Sequence, residues 1–159
     1  MAVAGGAVGR WGTMTLVCRV NSEPACVWSA LPALGDDSGV EVEALAGLPG
    51  FRSARLGPTQ EGRTAELLKR LEGKPRPWNA RFVCVLALAN PGHPTQFFEG
   101  ECRGEIVPEW RGEAGFGYDP GFLVPGPGKT FGEMRPGERG RTSHRGRPVR
   151  GLRESGGLN

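Results

Sequence analysis

Two adjacent carboxylates followed by a hydroxyl and a glycine, Asp36-Asp37-Ser38-Gly39, form the segment of this sequence best suited to chemistry. Paired carboxylates can hold a divalent cation such as Mg²⁺ through their oxygens, or orient a water molecule as a general base. The segment lies between the apolar residues 31–34 and the alternating residues 40–43, a pattern that predicts a strand ending in a tight turn. We therefore place Asp37 at the centre of a phosphate-cleaving site. The same tetrapeptide is also typical of an Asp-Ser-Gly turn whose acidic pair is simply solvated.

Two further clusters carry polar groups that packing alone does not explain. The first is the glycine-rich loop from Phe116 to Asp119, in which a ring can stack on a flat ligand and a carboxylate can accept hydrogen bonds. A loop pinned in place by a buried Phe116 would show the same pattern. The second is Ser143-His144-Arg145, whose histidine lies inside an arginine-rich segment, where such residues are usually solvated. Neither cluster by itself shows whether its residues bind a ligand or only stabilise the fold.

The clearest secondary-structure signal is a hairpin in the middle of the chain. Residues Arg81–Ala89 are nearly all apolar, which predicts a central strand covered on both faces. An alternating strand follows from Phe97 to Val107. The small inner residues of that second strand, among them Gly100, leave room for another element to pack closely, more often a helix than a ligand.

A helix is predicted from Thr64 to Leu71, because three leucines share one face and Glu66 can pair with Arg70 at helical spacing. Short strands are predicted at Met14–Val20 and at Phe122–Val124.

The composition predicts one domain large enough to bury a core. The chain has 159 residues, 38% hydrophobic, with many glycines (27) and prolines (14) for loops. The net charge of +3 is too small to indicate a nucleic-acid partner, although seven arginines against two glutamates from Arg135 onward concentrate it at one end. Four cysteines without a C-x-x-C pair predict buried thiols in a reducing, cytoplasmic setting. No stretch has the pattern of a membrane span or a signal peptide.

Taken in order, these motifs resemble the inosine triphosphate pyrophosphatase family, whose members hydrolyse non-standard purine nucleoside triphosphates. The resemblance covers roughly Leu31 to Val149. Its carriers are the segments 31–42, 49–50, 53–55, 81–89, 98–100, 115–120, 130–134 and 143–147. Each motif is weak alone, but their order together is specific. The resemblance implies an α/β domain with a twisted mixed β-sheet flanked by helices.

The resemblance also implies an activity. It is the Mg²⁺-dependent cleavage of dITP, ITP or XTP between the α and β phosphorus atoms, which serves nucleotide-pool house-cleaning. Asp37 matches the proton acceptor and metal-binding residue. The residues that match substrate contacts are Ser38, Phe116, Gly117, Tyr118, Asp119, Arg139, His144 and Arg145. Phe116 would stack on the purine, and His144 with Arg145 would recognise the 6-keto oxygen. The implied partner is a second copy in a homodimer, with no membrane partner.

The first 30 residues depart from the family pattern. They contain no Thr/Ser-x-Asn-x-x-Lys turn for gripping phosphates, and the second acidic metal ligand is absent. Arg139 stands where the family has a lysine. We divide the sequence into an atypical segment 1–30, which we expect to be a shifted reading frame or an alternative start, a pyrophosphatase-like domain 31–150 and a frayed tail 151–159. Loss of the phosphate clamp is expected to weaken transition-state stabilisation.

Two alternatives follow from these departures. The chain could be a catalytically impaired family member that only binds nucleotide. It could also be a nucleic-acid-binding protein that uses the Arg-Gly steps between Arg135 and Arg153 to follow a phosphate backbone.

Overall fold

The computed structural model describes residues 12–156, whose centre is a six-stranded sheet. The strands are β1 (Ala33–Val42), β2 (Pro49–Gly50), β3 (Trp78–Ala89), β4 (Gln96–Ile106), β5 (Phe122–Val124) and β6 (Lys129–Thr130). The helices are α1 (Gly12–Ser29), α2 (Gln60–Leu71), α3 (Pro136–Thr142) and α4 (Gly146–Glu154). The strand order is β2-β1-β3-β4-β5-β6. The expected α/β fold is confirmed, but each pairing between these strands is antiparallel, so the described sheet is not mixed.

The predicted hairpin is confirmed as β3 and β4, which form the middle of the sheet. From Phe82 to Ala89 every residue of β3 is buried, because helices cover both faces of the sheet at this strand. Cys84 pairs with Gly100 across the hairpin. The strand predicted at Phe122–Val124 is also confirmed, as β5.

β1 runs without interruption through Asp36–Gly39, so the turn expected at this tetrapeptide is wrong. Its residues pair with β3 from Ala33, opposite Ala89, to Val42, opposite Ala80. Turn propensity is a local preference, and the hydrogen-bond ladder together with the burial of Val40 and Val42 outweighs it. Successive strand residues point to opposite faces, so Asp37 and Ser38 lie on different faces of the sheet.

One face of the sheet is covered by α1, in the segment where a short strand was expected. Met14 and Cys18 lie one helical turn apart and form a buried cluster with Val83, Val85 and Ala87. The Cys18 thiol donates a hydrogen bond to the carbonyl oxygen of Val85 at 3.2 Å. This packing outweighs the strand propensity of residues 14–20. Residues 1–11 of the atypical segment lie outside the described residues.

The opposite face is covered by α2 and α4. The helix predicted at Thr64–Leu71 is confirmed and begins at Gln60, because the Thr59 side chain caps it by accepting from the Gly62 N–H at 3.0 Å. Leu67 and Leu71 are fully buried. The Arg70 guanidinium donates to the Glu66 carboxylate at 2.7 Å, as its spacing predicted.

The arginine-rich end of the chain is folded against the sheet. Residues 151–154, expected in a frayed tail, form the last turn of α4, and Leu152 is buried against Cys84, Leu86 and Leu88. Residues 157–159 lie outside the described part of the chain. The nucleic-acid alternative required an accessible Arg-Gly tail, whereas most of residues 135–153 lie in α3 and α4.

The four cysteines are buried and free, as expected from their spacing. None of the helices in the described part of the chain combines the length and the apolar character needed to cross a bilayer.

Candidate active site

On the face that carries α2 and α4, the sheet contributes to a cavity of about 230 Å³. Most of the expected substrate-binding residues line it, namely Ser38, Phe116, Gly117, Tyr118, Asp119, His144 and Arg145. A second cavity of about 110 Å³ shares four of them and adds Arg139 and Ser143. The fold therefore brings together all eight residues that the sequence placed around the substrate. Asp37 lines neither cavity.

The loop from Gly115 to Asp119 is held in shape by its own carboxylate. Asp119 is 6% exposed, and its Oδ2 accepts a hydrogen bond from the Phe116 N–H at 3.1 Å. Gly115 has φ of +83°, and a Cβ there would overlap Asp119 Oδ2, so only glycine fits this position. Burial raises the pKa of Asp119, while the Phe116 hydrogen bond and the charges of Arg139 and Arg145 oppose that rise.

Phe116 and Arg145 form the open side of the site. The guanidinium carbon of Arg145 lies 4.6 Å from the centroid of the Phe116 ring, a cation–π contact. Phe116 is 59% exposed, which is unusual for a large aromatic residue and excludes the interpretation of a loop pinned by a buried Phe116. An accessible aromatic face beside a cation is suited to stacking a flat, electron-rich ligand.

His144 is 3% exposed, yet neither of its ring nitrogens has a hydrogen-bond partner in the protein. The Nη1 atom of Arg139, which lines the smaller cavity with it, is also buried without a partner. Leaving such groups unpaired is costly, so several of them around one cavity indicate a polar ligand. Burial, and then the charge of Arg145, lowers the pKa of His144 to about 3. The imidazole is therefore neutral near pH 7, with one N–H donor and one acceptor nitrogen.

The lowered pKa of His144 predicts a pH-dependent stability. Between about pH 6.5 and about pH 3 the unfolded chain binds a proton at this residue and the folded chain does not, so the free energy of unfolding falls as pH falls through that window. Urea unfolding should show that the unsubstituted chain loses more stability from about pH 7 to about pH 5 than His144→Phe does. The raised pKa values of Asp37 and Asp119 make the free energy of unfolding rise as pH falls, but both chains contain these two residues. Equal losses would contradict the prediction.

Two of the lining residues mainly hold the walls in place. The Tyr118 hydroxyl donates to the carbonyl oxygen of Ser53 at 2.9 Å, and burial raises its pKa to about 12. The Ser53 hydroxyl in turn accepts from the Val40 N–H at 2.9 Å and donates to the Gly50 carbonyl oxygen at 2.5 Å. These bonds connect the loop to β1 and β2. The hydroxyl proton of Tyr118 is therefore already donated within the protein, and Tyr118 lines the cavity without a free hydrogen-bond donor.

Asp37 is half-buried in the middle of β1. Its Oδ1 accepts a hydrogen bond from the Ser38 N–H at 2.9 Å. Burial raises the pKa of Asp37, the Ser38 hydrogen bond opposes the rise, Asp36 adds to it and Arg55 opposes it. A carboxylate whose charge is disfavoured by its surroundings is stabilised when it takes up a proton or binds a divalent cation, because either one neutralises that charge.

A larger depression of about 670 Å³ lies elsewhere on the sheet, and its lining includes Glu41, Arg81 and Arg103. The Arg81 guanidinium pairs with Glu41 at 2.5 Å and with Glu101 at 3.3 Å. The charge of Arg81 is thus balanced by carboxylates of the protein, and none of the expected site residues lines the depression. Size alone therefore does not make it the better candidate.

The model of the Ham1 family matches residues 13–155. The chain belongs to this family. The sequence-based assignment to the inosine triphosphate pyrophosphatase family is thereby confirmed, and the match extends upstream of Leu31 into α1.

Among curated relatives, the dITP/XTP pyrophosphatases of Gloeobacter violaceus and Thermus thermophilus are each 51% identical to this chain. The first alignment covers 76% of this chain and 61% of the relative, and the second covers 80% and 63%. The chain thus spans a little over three fifths of the length of these relatives.

Solved structures of similar proteins share the fold. The Staphylococcus aureus Ham1 protein has a TM-score of 0.80 and 37% identity, over 84% of this chain and 71% of that one. A protein of Mycobacterium abscessus described as a nucleoside-triphosphatase or dITP/XTP pyrophosphatase has a TM-score of 0.73 and 34% identity, over 85% and 71% of the two chains.

Apart from Gly39 of the acidic tetrapeptide, five residues that line the larger cavity were not predicted as site residues: Ser53, Ala54, Gln60, Arg63 and Phe82. Ser53 and Ala54 lie in the Ser-Ala-Arg segment that carries part of the resemblance to the inosine triphosphate pyrophosphatase family. Gln60 and Arg63 lie in the first turn of α2, and Phe82 is one of many apolar residues in β3. Nothing in the local pattern of Gln60, Arg63 or Phe82 separates these three residues from ordinary surface or core residues.

Proposed function

We propose that this chain binds purine nucleoside triphosphates that carry a 6-keto group, such as dITP, ITP and XTP, and hydrolyses them to a monophosphate and pyrophosphate. One observation carries the proposal: a cavity in which the buried nitrogens of His144 and the Nη1 of Arg139 have no protein partner, beside the accessible Phe116 ring. A purine base supplies both a flat face and polar edges. The names of the dITP/XTP pyrophosphatase relatives give the same substrate class.

Selection for a 6-keto group follows from the donors at the site. The guanidinium groups of Arg139 and Arg145 donate hydrogen bonds and accept none. A 6-keto oxygen can accept from them, whereas the 6-amino group of adenine would place a donor against a donor. Binding ATP would leave buried polar groups unpaired, and a site of this kind discriminates much better than apolar fit does.

We infer that Asp37 takes the proton of the attacking water and also binds Mg²⁺. No group of three His, Cys, Asp or Glu side chains suited to a metal occurs among residues 12–156. Mg²⁺ is commonly held by one or two carboxylates together with substrate phosphates, so the half-buried Asp37 fits that role. Bound there, Mg²⁺ would offset the charge of the departing pyrophosphate. The positive charge of Arg55 opposes the rise in the pKa of Asp37, so this arginine adds a cation to the surroundings of the proposed metal-binding carboxylate.

The proposal is tested by pyrophosphate release from ITP and from ATP in the presence of Mg²⁺. We expect kcat/KM for ITP to exceed that for ATP by at least about 100-fold, because of the mismatch with the 6-amino group. Calorimetric titration with the two nucleotides provides a second measurement, since base selection does not depend on the rate of the chemical step. Equal turnover and equal binding of ITP and ATP would refute the proposed substrate class.

We further propose a homodimer in the cytoplasm. The four free, buried thiols are consistent with a reducing compartment, and exposed apolar side chains of α1, such as Val20, Val27 and Trp28, offer a surface for a second copy. Residues 31–150 contain all the proposed site residues. Light scattering coupled to gel filtration measures the oligomeric state directly.

A further inference from the structure

The side chain of His144 is oriented by aromatic packing, without hydrogen bonds to the protein. Its ring lies 4.7 Å from the Phe82 ring, with only 11° between their planes. The Phe131 ring approaches at a tilt, at 6.4 Å and 51°. A functional imidazole is ordinarily fixed through a hydrogen bond on one nitrogen, and here both nitrogens lack a protein partner. The face-to-face contact with Phe82 is therefore the main orienting contact of the ring.

Phe82 is itself held firmly. It lies in the middle strand of the sheet, paired with Val40 on one side and with Cys102 on the other, and it is 7% exposed. Its ring contacts Phe122 at 4.6 Å and Phe131 at 5.9 Å. Phe82 also lines the larger cavity together with His144. A ring fixed in this way can hold a neighbouring ring in one orientation.

We propose that Phe82 is a positioning residue for base selection: stacked flat on His144, it fixes the plane of the imidazole, so that a ring N–H can point at a 6-keto oxygen lying in that plane. The selection step rests on the proposed function, whereas the stacking does not. A neutral imidazole carries a donor on one edge and an acceptor on the other. If the ring could tilt out of this plane, its N–H would no longer point at the 6-keto oxygen, and the discrimination against adenine would weaken.

The orienting role is tested by NMR of the full chain with labelled histidine. The chain has two histidines, and His93 lies exposed in the β3–β4 loop, where it serves as the reference. In the unsubstituted chain the ring-proton signals of His144 should lie upfield of those of His93, because Phe82 stacks on its face. This shift should be lost in Phe82→Leu and kept in Phe122→Leu, which removes a core ring of the same size. The variant Phe82→Tyr retains the ring and should retain the shift.

Two results would overturn the orienting role. One is a His144 signal at the position of His93 in the unsubstituted chain, a measurement that needs no variant to fold. The other is an unchanged His144 signal in folded Phe82→Leu. The charged groups that share the two cavities with His144 are Arg63, Asp119, Arg139 and Arg145, and all of these variants retain them.

The selection role is tested by the ratio of kcat/KM for ITP to that for ATP. We expect Phe82→Leu to lower this ratio about tenfold, and Phe122→Leu to change it less than about twofold even though it destabilises the core. If Phe82→Leu loses the His144 shift and keeps the ratio, the selection role is wrong. Absence of ITP turnover in the unsubstituted chain would count against the proposed function alone, and the NMR result would still decide the orienting role.

Discussion

Asp37→Asn is expected to release pyrophosphate from ITP at least about 100-fold more slowly than the unsubstituted chain. Asparagine has nearly the size of aspartate, and its oxygen can still accept the Ser38 N–H hydrogen bond that Asp37 Oδ1 accepts at 2.9 Å. It has no charge, however, so it cannot take a proton from water, and it binds a divalent cation more weakly than a carboxylate does. The loss should appear mainly in kcat, because Asp37 lines neither of the cavities that we assign to the base.

The same substitution should leave the fold intact or make it more stable. Burial raises the pKa of Asp37, so the folded chain disfavours its charge relative to the unfolded chain. Above the folded pKa of an acid raised in this way, ionisation lowers the free energy of unfolding, and removing the charge removes that penalty. Urea unfolding at about pH 7 should therefore give a midpoint for Asp37→Asn no lower than that of the unsubstituted chain. A gain in stability with a loss of activity is the pattern of a functional carboxylate.

The neighbouring carboxylate provides the matched control. Asp36 is exposed and lies on the other face of β1, so Asp36→Asn makes the same chemical change one residue away. We expect its rate to stay within about threefold of the unsubstituted chain. Full activity in Asp37→Asn, or equal losses in the two variants, would show that the chemistry does not depend on Asp37.

The elements that sequence reasoning predicted correctly are those whose own pattern decides their structure. β3 is apolar throughout and α2 has its leucines on one face, so burial and local preference agree. The errors occur where the two disagree. Asp36–Gly39 has the composition of a turn but is held in β1 by pairing with β3, and residues 14–20 have strand-like composition but form a helix because Met14 and Cys18 pack on the sheet.

The site was predictable only as a set of motifs. The order of the motifs along the chain identified the eight residues that the fold gathers around two cavities. Their mutual geometry could not be predicted, because the cation–π contact between Arg145 and Phe116 and the stacking of Phe82 on His144 join residues distant in sequence. The face on which Asp37 lies could not be predicted either, since it depends on β1 continuing through the expected turn.

Gly100→Ala is expected to lower the free energy of unfolding by about 3 kcal/mol, near the upper end of the usual range for overpacking. Gly100 is buried in β4 opposite Cys84, and a Cβ there would overlap the carbonyl oxygen of His144 and the Cδ atom of Pro148. Neither a backbone carbonyl nor a proline ring can move aside by a simple rotamer change. The segment that carries His144 would have to move away from the sheet, so the preference for ITP over ATP should fall as well.

Gly126→Ala is the matched control for this effect. A Cβ at Gly126 would meet no atom within 4 Å, and its φ lies outside the left-handed region, so its unfolding free energy should change by less than about 0.5 kcal/mol. Chemical denaturation of the two variants measures the difference, and the ITP-to-ATP ratio shows whether His144 has moved. If Gly100→Ala were as stable and as selective as Gly126→Ala, the close approach of the His144 segment to β4 would be unnecessary. The lack of a side chain at Gly100 in β4 would then play no part in placing His144 in the site.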